Sequence, residues 1–128
     1  MLFPEGPEDP SARSAEIEWK FTREQVEGMT AFAAKRAGDG ARANMKKLGI
    51  DWVSFEGRRF PYWTSEKGEH YRIIREAMAA KLAQNENVRE VLRATRGLRL
   101  RPDHHQEPDA PPAWHYHEIW MELREELP

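Results

Sequence analysis

Apolar side chains at Val26, Met29, Ala33 and Ala37 recur at steps of three and four residues, the spacing of one helix face. Thr22 precedes that run and Gln25 follows it three residues later. This is a capping-box pair, in which each side chain satisfies a free amide of the first turn. A helix is therefore predicted from about Arg23 to Ala37, with Gly38 as its stop. A short helix is predicted from about Ala41 to Leu48, ending in the same way at Gly49.

The period then changes. Asp51-Trp-Val-Ser-Phe55 and Arg58-Arg-Phe-Pro-Tyr-Trp63 are rich in aromatic and β-branched residues and flank Glu56-Gly57. A hairpin or aromatic loop is predicted there, with Pro61 confining the second strand to an edge. From about Glu66 to Ala83 the helical period returns: Tyr71, Ile74, Met78 and Leu82 form one stripe, widened by Ile73 and Ala77. Asn85 breaks that helix. Asn87 followed by Glu90 predicts a cap for another, Val88 to Thr95, with Val88, Val91 and Leu92 facing the core and Gly97 at its end. Leu98-Arg-Leu-Arg101 alternates as a short half-buried strand does. Pro102 to Pro112 reads as a loop. A last helix begins near Ala113, with Tyr116, Ile119, Trp120, Leu123 and Leu127 as its apolar face.

These elements predict a mostly α (α+β) fold, a compact helical domain with a small aromatic hairpin. Residues 14–128 are expected to form a single domain. Residues 1–13, with Pro4, Pro7, Pro10 and Gly6, read as a flexible arm. A chain of 128 residues suits one domain of this kind. No apolar run approaches the roughly 18–20 residues of a membrane span, so no membrane partner is expected. Met1 to Pro10 carries Glu5, Glu8 and Asp9 and no base, unlike a signal peptide. Cysteine is absent, which excludes disulfides, thiolate metal sites and a cysteine nucleophile. A reducing, cytoplasmic setting is the expectation.

The net charge of -2 averages unlike segments. Residues 88–101 hold Arg89, Arg93, Arg96, Arg99 and Arg101 against Glu90 alone, whereas residues 102–128 hold seven acids and only Arg124. Guanidinium groups pair with phosphate through two parallel bonds, so Arg89, Arg93 and Arg96 are candidate phosphate ligands. The alternative is a solvated helix face that pairs with the acidic last helix. Overall charge is too near neutral for a dedicated nucleic-acid binder.

A family resemblance enters with particular residues. Ala33-Ala-Lys-Arg-Ala-Gly38, then Asp51-Trp52, then Ile74 to Thr95 with its Lys81-Leu-Ala-Gln-Asn85 and Leu92-Arg-Ala-Thr95, and finally Met121, Arg124 and Leu127 occur in the order seen in the NADAR family. The likeness covers about residues 30–127 and is most specific from Lys81 to Thr95. Known members are N-glycosidases that act on phosphorylated riboflavin intermediates or remove ADP-ribose from guanine. The resemblance thus implies a truncated or diverged NADAR-like domain that cleaves a base from a ribose phosphate or from ADP-ribose. The family's Phe-Ser-Asn-Phe segment and its glycine-rich stretch before the last helix have no counterpart here. His115 follows Trp114 where the family has glycine.

The family's Glu-His-Tyr residue types reappear later in the order, as Glu69-His70-Tyr71. The resemblance makes Glu69 the catalytic carboxylate, which would stabilise an oxocarbenium-like centre or activate water. The plain alternative is a first-turn glutamate complementing the helix dipole. Trp52, Trp63 and Trp114 are candidate ligand-binding residues that would stack a base, beside the alternative of covering a small core. His104, His105, His115 and His117 match no standard zinc spacing, and residues two apart on a helix diverge. No metal and no cofactor is therefore expected. The expected partner is a nucleotide or ADP-ribose-like small molecule. The second function class is a non-catalytic small protein, such as a phage or defence accessory protein. It would bind such a ligand, a second protein chain or another copy of itself.

Overall fold

The capping box forms as written in the sequence. Gln25 N–H donates to Thr22 Oγ1 at 3.3 Å, and Thr22 N–H to Gln25 Oε1 at 2.9 Å. In the computed structural model, which describes residues 16–128, this box starts helix α1, Arg23–Glu27. The expected arm at 1–13 lies outside the described residues. The chain divides into two compact units, one ending at Tyr62 and one beginning at Trp63.

In the first unit α1 ends at Gly28, and α2 runs unbroken from Ala31–Leu48. The single helix predicted from Arg23 to Ala37 is thus cut early, and Gly38 is not its stop. Gly38 and Met45, two turns apart, are the buried residues of α2, so Gly38 lies on the inward face. An interior glycine costs about 1 kcal/mol relative to alanine, which a helix of 18 residues absorbs. The stop falls at Gly49, which takes the left-handed φ of 65° while Ile50 N–H donates to the Met45 carbonyl at 2.9 Å.

The predicted hairpin follows as β1, Trp52–Phe55, and β2, Arg58–Pro61, paired antiparallel. Glu56 and Gly57 both take positive φ, 50° and 73°. Two such residues make the tight turn whose twist matches a hairpin. Val53 and Phe60 face each other across the ladder and are both buried.

The second unit is helical. Helix α3 spans Glu69–Gln84, α4 Glu86–Ala94 and α5 Tyr116–Glu125, with a 3-10 turn at Pro112–Trp114. Helix α3 packs against α4, α5 and that turn. Tyr71, Leu82, Leu92, Ala113, Ile119 and Leu123 form the core, with Ile74, Met78, Val88, Trp120 and Leu127 against it. The stripes read from the sequence are largely the ones buried. Each fully buried aliphatic side chain contributes roughly 1.5–3 kcal/mol.

Three expectations are corrected here. Asn85 rather than Asn87 stands before α4, its side chain donating to the Lys81 carbonyl at 2.7 Å. Val91 is exposed, because α4 buries only a narrow stripe through Leu92. Leu98–Arg101 is not a strand: no partner strand lies in this unit, and Leu100 reaches the core from irregular backbone.

Candidate functional site

Glu69 opens α3, the first turn of which carries the Glu-His-Tyr residues. Its carboxylate is gripped by the next turn. Arg72 Nη2 donates to Oε1 at 2.7 Å and Nε to Oε2 at 3.0 Å. Arg72 also pairs with Glu76. The Glu69 bond, followed by that of Glu76, raises the Arg72 pKa. The Glu69 side chain is 26% exposed, so solvent and solute reach it. His70 beside it is buried.

Tyr71 ties α3 to α5. Its hydroxyl donates to Glu122 Oε2 at 2.5 Å, and Lys67 Nζ donates to Oε1 of the same carboxylate at 2.7 Å. Lys67 and then Tyr71 hold the Glu122 carboxyl below its ordinary range. Burial, then Glu122, pushes the Tyr71 phenol up.

Trp63 and Trp114, distant in sequence, meet edge to face with ring centroids 5.0 Å apart. Trp63 is 46% exposed, which leaves indole surface open to a ligand. Gln106 Nε2 donates to the Trp114 carbonyl at 2.9 Å and fixes the turn that carries it. Trp52 belongs to the first unit, on β1. The guanidinium carbon of Arg59 sits 3.9 Å from its ring centroid.

The three candidate phosphate arginines are engaged within their own unit. Arg89 Nη1 donates to the Leu82 and Ala83 carbonyls at 2.9 and 2.6 Å. It therefore satisfies two of the carbonyls that the end of α3 leaves open. Its Nε donates to Glu86 at 2.8 Å, and Arg93 donates to the same carboxylate at 3.0 Å. Arg89, then Arg93, lowers the Glu86 pKa. Arg96 donates to the carbonyls of Leu127 and Pro128 at 2.5 and 3.3 Å. Two acids of the last helix and its C-cap pair elsewhere: Glu122 with Lys67, and Glu126 with Arg75 of α3. The expected match of the arginine segment with the acidic last helix is therefore not made through these carboxylates.

The histidines correct one geometric argument. His115 precedes α5 and is not helical, so its ring comes within 6.0 Å of His117, centroid to centroid. Both approach Glu118, at 3.5 and 3.9 Å. Among the described residues, no group of three histidine, aspartate or glutamate side chains is arranged to hold a metal ion. No helix among them is long and apolar enough to cross a membrane.

Trp63 and Trp114 are thus brought together, and Arg89 and Arg93 converge on Glu86. Glu69 is joined to Arg72, which sequence reasoning did not single out, although its spacing of three from Glu69 on a helix was the available signal. Ser54 and Arg59 were also missed; their cross-strand pairing becomes visible only once the hairpin register is known. No family model, curated protein or solved structure matches the chain.

Proposed function

We propose that this chain is a NADAR-like N-glycosidase that releases a base from a ribose phosphate or from an ADP-ribose-linked base, with Glu69 as its carboxylate. The observation that carries the proposal is the partly exposed Glu69 carboxylate, held by two bonds from Arg72. The two bonds from Arg72 fix the position of the Glu69 carboxylate on the first turn of α3. An anion at that point is suited to a ribose carbon that becomes positive as the glycosidic bond breaks. The C1′–N bond would break with its electron pair leaving on nitrogen. A water oxygen would then bond to C1′, and its proton would pass through Glu69 to the departing base. The Trp63–Trp114 corner would receive the base. A cytoplasmic setting belongs to the same reading.

A second reading has its own support. Arg89, Arg93 and Arg96 already serve Glu86 and backbone carbonyls, so a phosphate grip would have to be made elsewhere. That favours a non-catalytic protein that holds a partner chain, or a nucleotide gripped by other residues.

One experiment separates them. The protein is incubated with ADP-ribosylated guanosine and with phosphoribosylamines, and released base or ribose is measured. Release that disappears in Glu69→Gln supports the enzyme. A thermal shift with ADP-ribose but no release supports the binding protein. Neither release nor shift overturns both ligand-based readings and leaves the binding of a partner chain.

A further inference from the structure

The hairpin of the first unit carries an arrangement that the candidate site in the second unit does not use. In the register of β1 and β2, Ser54 stands directly across from Arg59, and Trp52 across from Pro61. Side chains alternate between faces along a strand, so Trp52, Ser54, Arg59 and Pro61 leave the same face. Arg59 reaches diagonally over Trp52, with its guanidinium carbon 3.9 Å from the ring centroid. Ser54 is buried to more than nine-tenths, and its Oγ has no hydrogen-bond partner among the described residues.

Two facts about this face stand out physically. A guanidinium is flat and stacks on an indole at the same separation as a nucleobase does. Arg59 thus occupies the position a stacked base would take. The second fact is the Ser54 hydroxyl: a buried polar group without a partner is costly, and such groups call for an explanation. A stacked heteroaromatic ring brings polar edge atoms that can bond to it. The displaced Arg59 keeps its charge and its fork of donors, which match a phosphate.

We infer that the Trp52–Ser54–Arg59 face binds a nucleoside phosphate: the base replaces the Arg59 guanidinium on Trp52 and bonds to the Ser54 hydroxyl, while Arg59 turns to the phosphate. This rests on the reading of the protein as a nucleotide binder, in either form. It adds a recognition site of which only Trp52 was expected. The exchange is favourable because a base has a larger stacking surface than a guanidinium. The charge-assisted bonds to phosphate offset the contacts that Arg59 gives up, the one with Trp52 among them.

The test is a calorimetric titration of the full chain with adenosine, AMP and ADP-ribose. Trp52→Leu is expected to weaken all three about tenfold or more, and Ser54→Ala to weaken all three several-fold. Arg59→Ala is expected to separate the ligands. AMP and ADP-ribose weaken about tenfold, whereas adenosine binds as well or better because its competitor for Trp52 is gone. Ser54→Ala and Arg59→Ala change a small and an exposed side chain. They keep the test decisive if Trp52→Leu unfolds the hairpin. Three results overturn the inference. One is wild-type binding that none of these variants alters, which leaves the proposed function standing with its base at Trp63. Another is capture of single-stranded oligonucleotide without binding of any mononucleotide. The last is no binding of any ligand by the wild type, which overturns the nucleotide reading together with it.

Discussion

The Arg124 guanidinium on α5 donates to the Thr95 carbonyl at 2.6 Å, and from the same nitrogen to the Leu98 carbonyl at 3.0 Å. Arg124 is only 4% exposed. It closes the carbonyl end of α4 with a side chain from another helix, and its charge is balanced by Glu125 at 3.4 Å. Arg124→Met keeps the apolar stem and removes both donors. It should cost about 2–4 kcal/mol, because two carbonyls at a helix end lose a charged donor. Denaturant unfolding measures this directly. A loss below about 0.5 kcal/mol would mean that water replaces the arginine there without penalty.

The hairpin turn places a non-glycine residue in the left-handed region. Glu56 has φ of 50° beside Gly57 at 73°. Asparagine tolerates this region far better than glutamate, and Asn-Gly is the preferred pair for such turns. Glu56→Asn should therefore stabilise by roughly 0.5–1 kcal/mol. Gly57→Ala meets no atom within 4 Å, yet it should destabilise by about 1 kcal/mol from backbone strain alone. Opposite shifts in melting temperature check both. Equal behaviour of the two variants would refute the turn.

Glu122 gives stability a pH dependence of known sign. Lys67 first, then Tyr71, holds its carboxyl below the ordinary range. A carboxyl with a depressed folded-state pKa contributes stability that is complete above its unfolded pKa, about 4.3, and is lost as pH falls through the folded value. Glu122→Gln should therefore make the loss of stability on acidification shallower below about pH 5. On the alkaline side the Tyr71 phenol is raised, by burial first and then by Glu122. Its contribution is present below about pH 10 and declines as pH rises further. Tyr71→Phe should lack that decline. Melting curves from pH 3 to 11 test both limbs, and variants that parallel the wild type at both ends would exclude this carboxylate as their source.

Local rules were legible where two or three neighbouring residues decide the outcome. Thr22 with Gln25 starts a helix, Gly49 ends one and Glu56-Gly57 turns a hairpin. The stripes through Tyr71 and Ile119 name most of the second unit's core. Failures came where distant partners decide. Leu98–Arg101 alternates like a strand but has no strand to pair with, and Gly38 sits in a helix because its face turns inward. Of the candidate site, the meeting of Trp63 and Trp114 follows from packing of the 3-10 turn on α3 and leaves no trace in local spacing. The arginines misled for a related reason. A guanidinium that closes a helix end has the same sequence signature as one that awaits phosphate.

That ambiguity yields a last prediction, because Arg89 and Arg93 differ in what they touch. Both bond to Glu86, an exposed pairing worth little after screening by solvent. Only Arg89 also donates to the Leu82 and Ala83 carbonyls. Arg89→Ala should therefore destabilise by about 1–2 kcal/mol, the worth of a lost charged cap. Arg93→Ala should change stability by less than about 0.5 kcal/mol. Glu86→Gln should resemble Arg93→Ala, since it breaks both ion pairs but leaves the carbonyl bonds in place. Urea unfolding of the three variants orders them. If Arg93→Ala costs as much as Arg89→Ala, the ion pairs rather than the helix cap hold the α3–α4 corner. If neither variant moves stability but both weaken ADP-ribose binding, these arginines belong to the ligand.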